Sequence, residues 1–489
     1  MAAALDMTGV TIGELCGAGA GMQAAIEITD LVLDSRDVRP GAGFVALPGA
    51  RAHGLDFAAQ ALASGAAVVL YDPATVTGPV PQPSVAVADL RSRLGEFARR
   101  LYARKAARVV VVGVTGTNGK TTVAWLLAQA LTRAGRTAGY IGTLGHGIVP
   151  QLAEHRLTTP DCLSLHREIA MMPVTGVALE VSSHALVQDR LAGVDVSGAV
   201  FTNLSHDHLD AHGSIEAYAQ AKARLFARAE LEHAVVNADD AFAAKMRAAA
   251  ASDVRILSVS RRSDQGADLC CVIASQGVRG MSLRASGAYG AARIDVPLIG
   301  EFNASNVLLT LGALVNLDVP FAEACDALRH SSAPPGRMET FGGGQQPLVV
   351  VDYAHSPDAL ARVLTTLRGL CTGELWCVFG CGGDRDTSKR AAMGAAAGRA
   401  DHVIITDDNP RSEDPEEIVA GIVAGLGEHR NVVIEHDRAA AIGQAISQAR
   451  GGDVVLVAGR GHERLQLRRD GAIELDDRQC VVDRLGLRP

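Results

Sequence analysis

The chain has 489 residues, 48% hydrophobic and 20% charged, with a formal net charge of −8: globular composition at a length that suits about three domains. An acidic balance without a Lys/Arg block excludes a general nucleic-acid binder, whose footprint is a basic face or run. No run of about 18 apolar residues occurs, the N-terminus carries Asp6 and no basic region, and the nine cysteines are scattered without C-x-x-C pairs, so we expect no membrane span, no signal peptide, reduced thiols and a cytoplasmic location.

Residues 1–103 read as a small α/β unit. Short apolar runs at 43–47 and 66–71 alternate with an alanine-rich helical segment at 57–63. The stretch 33–54 gathers turn residues and three arginines around one strand, and alone it reads as a solvated loop.

Residues 104–334 open on a valine run, 109–112, that breaks into glycines at Gly113, Gly116 and Gly119 before an alanine- and leucine-rich segment, 123–133. Strand, tight loop and helix are the context of a phosphate-binding loop. Backbone N–H groups of Gly116, Thr117, Asn118 and Gly119 can close around phosphate oxygens, Lys120 supplies a point charge, and Thr121 and Thr122 offer hydroxyls, Thr121 to Mg²⁺. This predicts an ATP or GTP site. The strict pattern G-x-x-x-x-G-K-[ST] is not met, because Val114 stands where its first glycine belongs.

Two further strands, at 176–181 and 199–202, end in polar stretches that begin at Glu180 and Phe201. In open α/β sheets ligands sit at such carboxyl ends, which places Glu180 and His208 for a cation beside the phosphates. The cluster His206, Asp207, His208, Asp210, His212 also approaches the ligand run of binuclear zinc hydrolases, with the last His one residue late; loop packing is the plainer reading for each His except His208. A helix over 214–230, capped by Ser214, carries Lys222, which by composition alone belongs on a solvated face.

Residues 335–489 alternate strands at 348–352, 375–379, 402–406, 432–435 and 454–457 with helical segments, predicting a doubly wound, Rossmann-like sheet. The GCGGD turn after Phe379 does not meet G-x-G-x-x-G, so no NAD site is expected.

GTNGKTT, TTP (158–160), EVSSHAL, FTNLSHDHLDAHG, YAQAKARLF, GEFNASN, PPGRME, DYAHSPD, FGCGGDRD, DDNPR and GRGHE run in this order over nearly the whole chain, and together they resemble the Mur ligases. The resemblance implies three α/β domains: a UDP-substrate domain (1–103), a central P-loop ATP domain (104–334) and a Rossmann-like amino-acid domain (335–489). It implies an ATP- and Mg²⁺-dependent monomeric amide ligase that joins meso-diaminopimelate to a UDP-muramoyl dipeptide, its partners being these small molecules.

Residue by residue, the resemblance makes Lys222 a carbamate that holds Mg²⁺ with Glu180, His208 and Thr121. It assigns ATP to the phosphate loop, Asn303, Arg337 and His355. UDP-substrate contacts fall on Leu33, Ser35, Ala50, Arg51, Ala52, Thr158, Thr159, Ser182, Gln188 and Arg190; amino-acid contacts fall on Arg385, Asp408, Asn409, Pro410, Arg411, Gly459 and Glu463. Leu157 stands where some relatives have a polar contact. Arg460 replaces the usual lysine of GKGHE, keeping charge but not geometry. A folylpolyglutamate-synthase-like ligase and a nucleotide-switched regulator share the loop; the domain before it and DDNPR argue against the first.

Overall fold

The computed structural model describes all residues except 1–8, 50, 51, 77, 103–108, 156, 206–211, 263–265, 429, 430, 488 and 489. It divides into two compact units, Met1–Lys120 with Leu127–Leu257, and Thr121–Leu126 with Ser258–Pro489.

The first unit begins with a four-stranded parallel sheet in chain order, β1 (Asp30–Val32), β2 (Ala42–Ala46), β3 (Val68–Tyr71) and β4 (Ser84–Ala86). Helix α1 (Ala58–Ala63) joins β2 to β3. Helix α2 (Leu90–Tyr102) buries Leu90, Leu94, Phe97, Ala98 and Leu101, the three-to-four spacing of one helix face, against Leu31, Val45, Val68 and Leu70.

A second sheet follows, seven of whose strands run in the order β8-β7-β6-β9-β5-β10-β11. Its strands are β5 (Val110–Thr115), β6 (Ala138–Gly142), β7 (Gly145–Ile148), β8 (Gln151–Ala153), β9 (Gly176–Glu180), β10 (Val196–Phe201) and β11 (His233–Asn237). β6, β9, β5, β10 and β11 are parallel, while β7 and β8 form an antiparallel edge hairpin. A parallel strand covered on both faces needs a continuous apolar run, and the valines of β5 supply it. The loop after β5 thus emerges between the carboxyl ends of β9 and β10. Helix α3 (Lys120–Arg133) starts at Lys120, earlier than the apolar segment at 123–133 suggested. The unit also holds α4 (Cys162–Met171), α5 (Ser183–Val187) and α6 (Ile215–Phe226).

Ser214 caps α6 by accepting the Ala217 N–H at 3.1 Å. An N-cap hydroxyl stabilises by about 1 kcal/mol. Ser214→Ala should therefore lower the thermal unfolding midpoint by about 2–4 °C, measured by circular dichroism.

In the second unit an antiparallel meander, β12 (Leu269–Gly277), β13 (Gly280–Gly287) and β14 (Gly290–Val296), precedes α7 (Glu301–Asn316) and α8 (Phe321–Arg329). The meander has no counterpart in the sequence reading. Then comes a six-stranded sheet, β15-β16-β20-β17-β18-β19, parallel except for β15. These strands are β15 (Glu339–Gly342), β16 (Leu348–Asp352), β17 (Leu375–Phe379), β18 (His402–Ile405), β19 (Val432–Ile434) and β20 (Val454–Ala458), and the expected strands coincide with five of them to within a residue. Helices α9 (Pro357–Arg368), α10 (Lys389–Ala397), α11 (Pro415–Leu426), α12 (Arg438–Gln448) and α13 (Asp477–Leu485), with the hairpin β21 (Leu465–Arg468) and β22 (Gly471–Glu474), complete the unit. Apolar cores lie on both faces of this sheet, as a doubly wound arrangement demands.

Candidate active site

The loop after β5 is held by the end of β10. Gly116 has φ +150, and a Cβ there would lie 1.9 Å from Thr202 Oγ1, so only glycine fits. Thr117 N–H donates to Asn203 O at 2.8 Å, Asn118 N–H to Asn203 Oδ1 at 3.0 Å, and the Thr202 hydroxyl to Asn118 O at 2.6 Å. Lys120 Nζ lies over the loop, donating to Gly116 O at 3.0 Å and Thr117 O at 2.9 Å. Thr121 and Thr122 follow it in α3 and are buried.

Lys222 is not on a solvated face. It is 1% exposed, and its Nζ donates to the same Gly116 oxygen at 2.8 Å while sitting 4.3 Å from the Tyr218 ring centroid. Two ammonium groups therefore share one loop carbonyl, a concentration of positive charge that favours an anion between them. Glu180 pairs with Val114 of β5 across the sheet and is fully buried. It accepts from the Tyr140 hydroxyl, from Thr143 N–H at 3.0 Å and from Thr143 Oγ1 at 3.1 Å. His208 lies outside the described residues, as do His206, Asp207 and Asp210. His212 Nε2 is 2.9 Å from Ser183 Oγ.

The implied peptide-binding residues form one connected group with Glu180. Thr159 Oγ1 donates to Glu180 O at 2.8 Å and accepts from Ser182 N–H at 3.0 Å. Arg190 donates to Thr159 O at 2.7 Å and to Gln188 Oε1 at 2.7 Å. Thr158 and Thr143 hydroxyls meet at 3.2 Å, and Leu157 is exposed. On the N-terminal sheet, Ser35 is buried 3.5 Å from Gln60 Oε1, Leu33 packs on the apolar core, and Ala52 O accepts from Gly49 N–H at 3.0 Å. Ala50 and Arg51 lie outside the described residues.

In the second unit β18 runs into Asp407–Arg411. Asn409 Nδ2 donates to Asp408 Oδ1 at 3.1 Å and to Glu463 Oε2 at 2.9 Å; its Oδ1 accepts from Leu467 N–H at 2.8 Å, and the Tyr353 hydroxyl donates to Glu463 Oε1 at 3.2 Å. Burial pushes the Asp408 carboxyl above its ordinary range. Gly459 has φ +112, and a Cβ there would come within 2.7 Å of Asp408 Oδ2. Pro410 is buried, and Arg411 Nη1 donates to Gly383 O at 2.7 Å. A Cβ on Gly382 would meet Arg411 Nη1 at 3.0 Å and Arg385 Cγ at 3.7 Å, so two arginines flank one glycine turn.

The residues implied for ATP in this unit lie nearby in part. The Arg337 guanidinium sits 4.4 Å over the Tyr353 ring. His355 Nδ1 is 2.8 Å from Tyr353 O, and burial lowers that imidazole below its ordinary value. Asn303, buried in α7, donates to Ile299 O at 2.8 Å and accepts from Asn306 at 2.9 Å.

Sequence models of three domains match in chain order: Mur ligase family, catalytic domain, over residues 27–102; Mur ligase middle domain over 114–314; and Mur ligase, glutamate ligase domain, over 336–461. The chain is 47% identical over 447 residues, 90% of each chain, to the UDP-N-acetylmuramoyl-L-alanyl-D-glutamate--2,6-diaminopimelate ligase of Xanthomonas campestris pv. campestris strain 8004. The chain belongs to the Mur ligase family. The ligase of the same name from Alkalilimnicola ehrlichii is 45% identical over 490 residues, covering 95% of this chain and 98% of that one. A solved structure of a UDP-N-acetylmuramoyl-L-alanyl-D-glutamate--2,6-diaminopimelate ligase superposes with TM-score 0.71 at 36% identity, covering 98% of this chain and 99% of that one.

Within this Mur ligase, sequence reasoning missed the residues that hold the functional ones. Tyr140 and Thr143 clamp Glu180, Thr202 and Asn203 pin the loop, and Tyr353 joins Arg337 to Glu463. Their signal was positional: apart from Tyr140, which lies in the middle of β6, each lies just beyond the carboxyl end of a sheet strand. Arg460 is fully buried, donates to Leu475 O at 2.9 Å and lies 3.8 Å from Asp477 Oδ1. Asp477 is the carboxylate that Arg438 grips with two 2.7 Å bonds. The arginine that replaces lysine is thus a buried charge of the domain core.

Proposed function

We propose that this Mur ligase joins meso-diaminopimelate to the D-glutamate of UDP-N-acetylmuramoyl-L-alanyl-D-glutamate at the expense of ATP, in peptidoglycan precursor synthesis. The names of its close relatives support the reaction, and the convergence of Lys120 and Lys222 on Gly116 O supports the site. We further propose a cytoplasmic monomer with domains at 1–103, 104–334 and 335–489. Among the described residues no helix is long and apolar enough to cross a membrane.

A carboxylate is a poor electrophile until one oxygen becomes a leaving group, so the D-glutamate carboxylate takes the γ-phosphoryl group, giving an acyl phosphate and ADP. The diaminopimelate amine then attacks the carbonyl carbon, the C–O bond to phosphate breaks, and the amine loses a proton. Lys120 meets the charge that develops on the transferred group, and the loop amides orient it. Glu180, the Thr121 hydroxyl and a Lys222 carbamate, with His208, would hold Mg²⁺. The fit rests on the chemistry of this set: Glu180 is a buried carboxylate at the carboxyl end of β9, paired with the loop-bearing strand β5, and carboxylate and hydroxyl oxygens are the hard donors Mg²⁺ takes. Bound there, Mg²⁺ would neutralise phosphate charge.

The environment of Lys222 supports carbamylation. The side chain is buried beside the loop, and a carbamate formed there from the amine and CO₂ would carry the anion that the neighbouring Lys120 charge favours. Lys222→Ala should lower turnover roughly 10- to 100-fold, and short carboxylic acids, which restore an anion, should recover part of it. Full activity in Lys222→Ala would remove the carbamate from the mechanism. The reading as a whole is tested by phosphate release: it should require the UDP-muramoyl dipeptide and diaminopimelate together. Release that needs neither would mark a nucleotide-switched protein instead.

A further inference from the structure

Among the described residues, and apart from those just discussed, one group of side chains is arranged as ligands without a ligand role in the ligase reaction. His146 lies on β7, His155 two residues past Ala153 of β8, and Glu168 in α4. His146 is the Cα partner of Ala153 in the hairpin. Cross-strand partners share a face, so Ala153 lies on the face that carries His146, and His155 follows two residues beyond the strand end. Glu168 is 9% exposed and closes that face.

The three ligand atoms lie within 4.8 Å of one another. His146 Nδ1 is 3.7 Å from Glu168 Oε1, and His155 Nδ1 is 3.6 Å from the same oxygen, too long for hydrogen bonds. They approach the separation of about 3.3 Å between donors 2.0–2.1 Å from a tetrahedral Zn²⁺. His146 Nδ1, His155 Nδ1 and Glu168 Oε2 are all buried without a hydrogen-bond partner.

The tautomer of His155 is set from outside the cluster. Its Nε2 lies 2.6 Å from Gly142 O, and a carbonyl oxygen only accepts, so Nε2 carries the proton. In the neutral ring the Nδ1 lone pair then faces the Glu168 carboxylate. A backbone carbonyl that orients the far nitrogen is the usual support of a metal-bound imidazole.

We infer that His146, His155 and Glu168 form a binding site for a divalent transition ion of the Zn²⁺ class, separate from the Mg²⁺ and nucleotide site. Two imidazoles and one carboxylate suit Zn²⁺ better than Mg²⁺, which prefers an all-oxygen octahedron. The ion ties the edge hairpin β7–β8 to α4. Through the bond from His155 it also steadies Gly142, where a Cβ would lie only 2.3 Å from Glu180 Oε1. The inference does not depend on the ligase reading.

The test uses the full chain, stripped by chelator and titrated with Zn²⁺ in millimolar Mg²⁺ by calorimetry. One equivalent should bind and raise the thermal midpoint. X-ray absorption at the zinc edge should show a first shell of nitrogen and oxygen with two imidazoles, and Co²⁺ should give visible bands of tetrahedral intensity. His146→Ala and Glu168→Gln should each weaken binding at least about tenfold. No binding in the presence of Mg²⁺, wild-type affinity in both variants, or a sulfur-containing shell would overturn the site. The absorption experiment uses the unmodified chain, so it decides the matter even if a variant fails to fold.

Discussion

Lys120→Ala is expected to lower kcat by about a thousandfold or more while leaving the thermal midpoint within 1 °C of the parent, the magnitude being that of losing a preorganised electrostatic contact to the transition state. Lys120 is part-exposed and bonds to Gly116 O and Thr117 O of its own loop, so little core packing is lost with the side chain. When a triphosphate enters, those carbonyls are exchanged for phosphate oxygens. The charge then acts on the group being transferred, where low dielectric strengthens it. Lys120→Arg separates charge from shape. A planar fork cannot occupy the place of a compact ammonium above the loop, so Arg should recover less than a tenth of the parent rate. Phosphate release with both substrates present measures each variant. Turnover at the parent level in a folded Lys120→Ala protein would remove the loop from catalysis.

Much of this architecture is legible in the sequence because apolar periodicity and strand-end chemistry are local. The valines of β5 and the runs that became β16 and β17 announce strands covered on both faces, and Gly116 announces a backbone that tolerates no side chain. The hairpin β7–β8 is not legible: its strands are short and at an edge, and β7 carries two glycines, so no alternation marks them. The burial of Lys222 was hidden for a related reason. Composition places a helix lysine in water, and only the tertiary position of α6 beneath Gly116 reverses this. Likewise nothing near Arg438 in the sequence announces Asp477, 39 residues away, as its partner. Long-range pairing of polar groups is where local patterns stop carrying information.

We propose that the turn from Asp407 to Arg411 selects the amino acid. It follows β18 and so stands at a carboxyl end of the sheet, where ligands bind. The far end of meso-diaminopimelate carries a carboxylate and an ammonium, whereas the far end of lysine has an ammonium alone. The Arg411 guanidinium and the Arg385 side chain both come near Gly382, and a guanidinium grips a carboxylate through two parallel bonds. Asp408 and Glu463, joined through Asn409 Nδ2 at 3.1 and 2.9 Å, offer carboxylates to the ammonium. Burial raises the Asp408 carboxyl, and an arriving cation lowers it again, so the ammonium and the ionised carboxylate stabilise each other. Lysine would supply no anion to the arginines and would leave them desolvated. An enclosed charge without its partner costs roughly 2–5 kcal/mol, which makes the expected preference in kcat/KM for meso-diaminopimelate over L-lysine about a hundredfold or more. Arg411→Ala should lose most of that preference, chiefly by weakening use of diaminopimelate, and Arg411→Lys should not restore it, since one ammonium cannot form the paired contact. Comparable kcat/KM values for the two amino acids in the unmodified protein would show that this turn does not select the substrate.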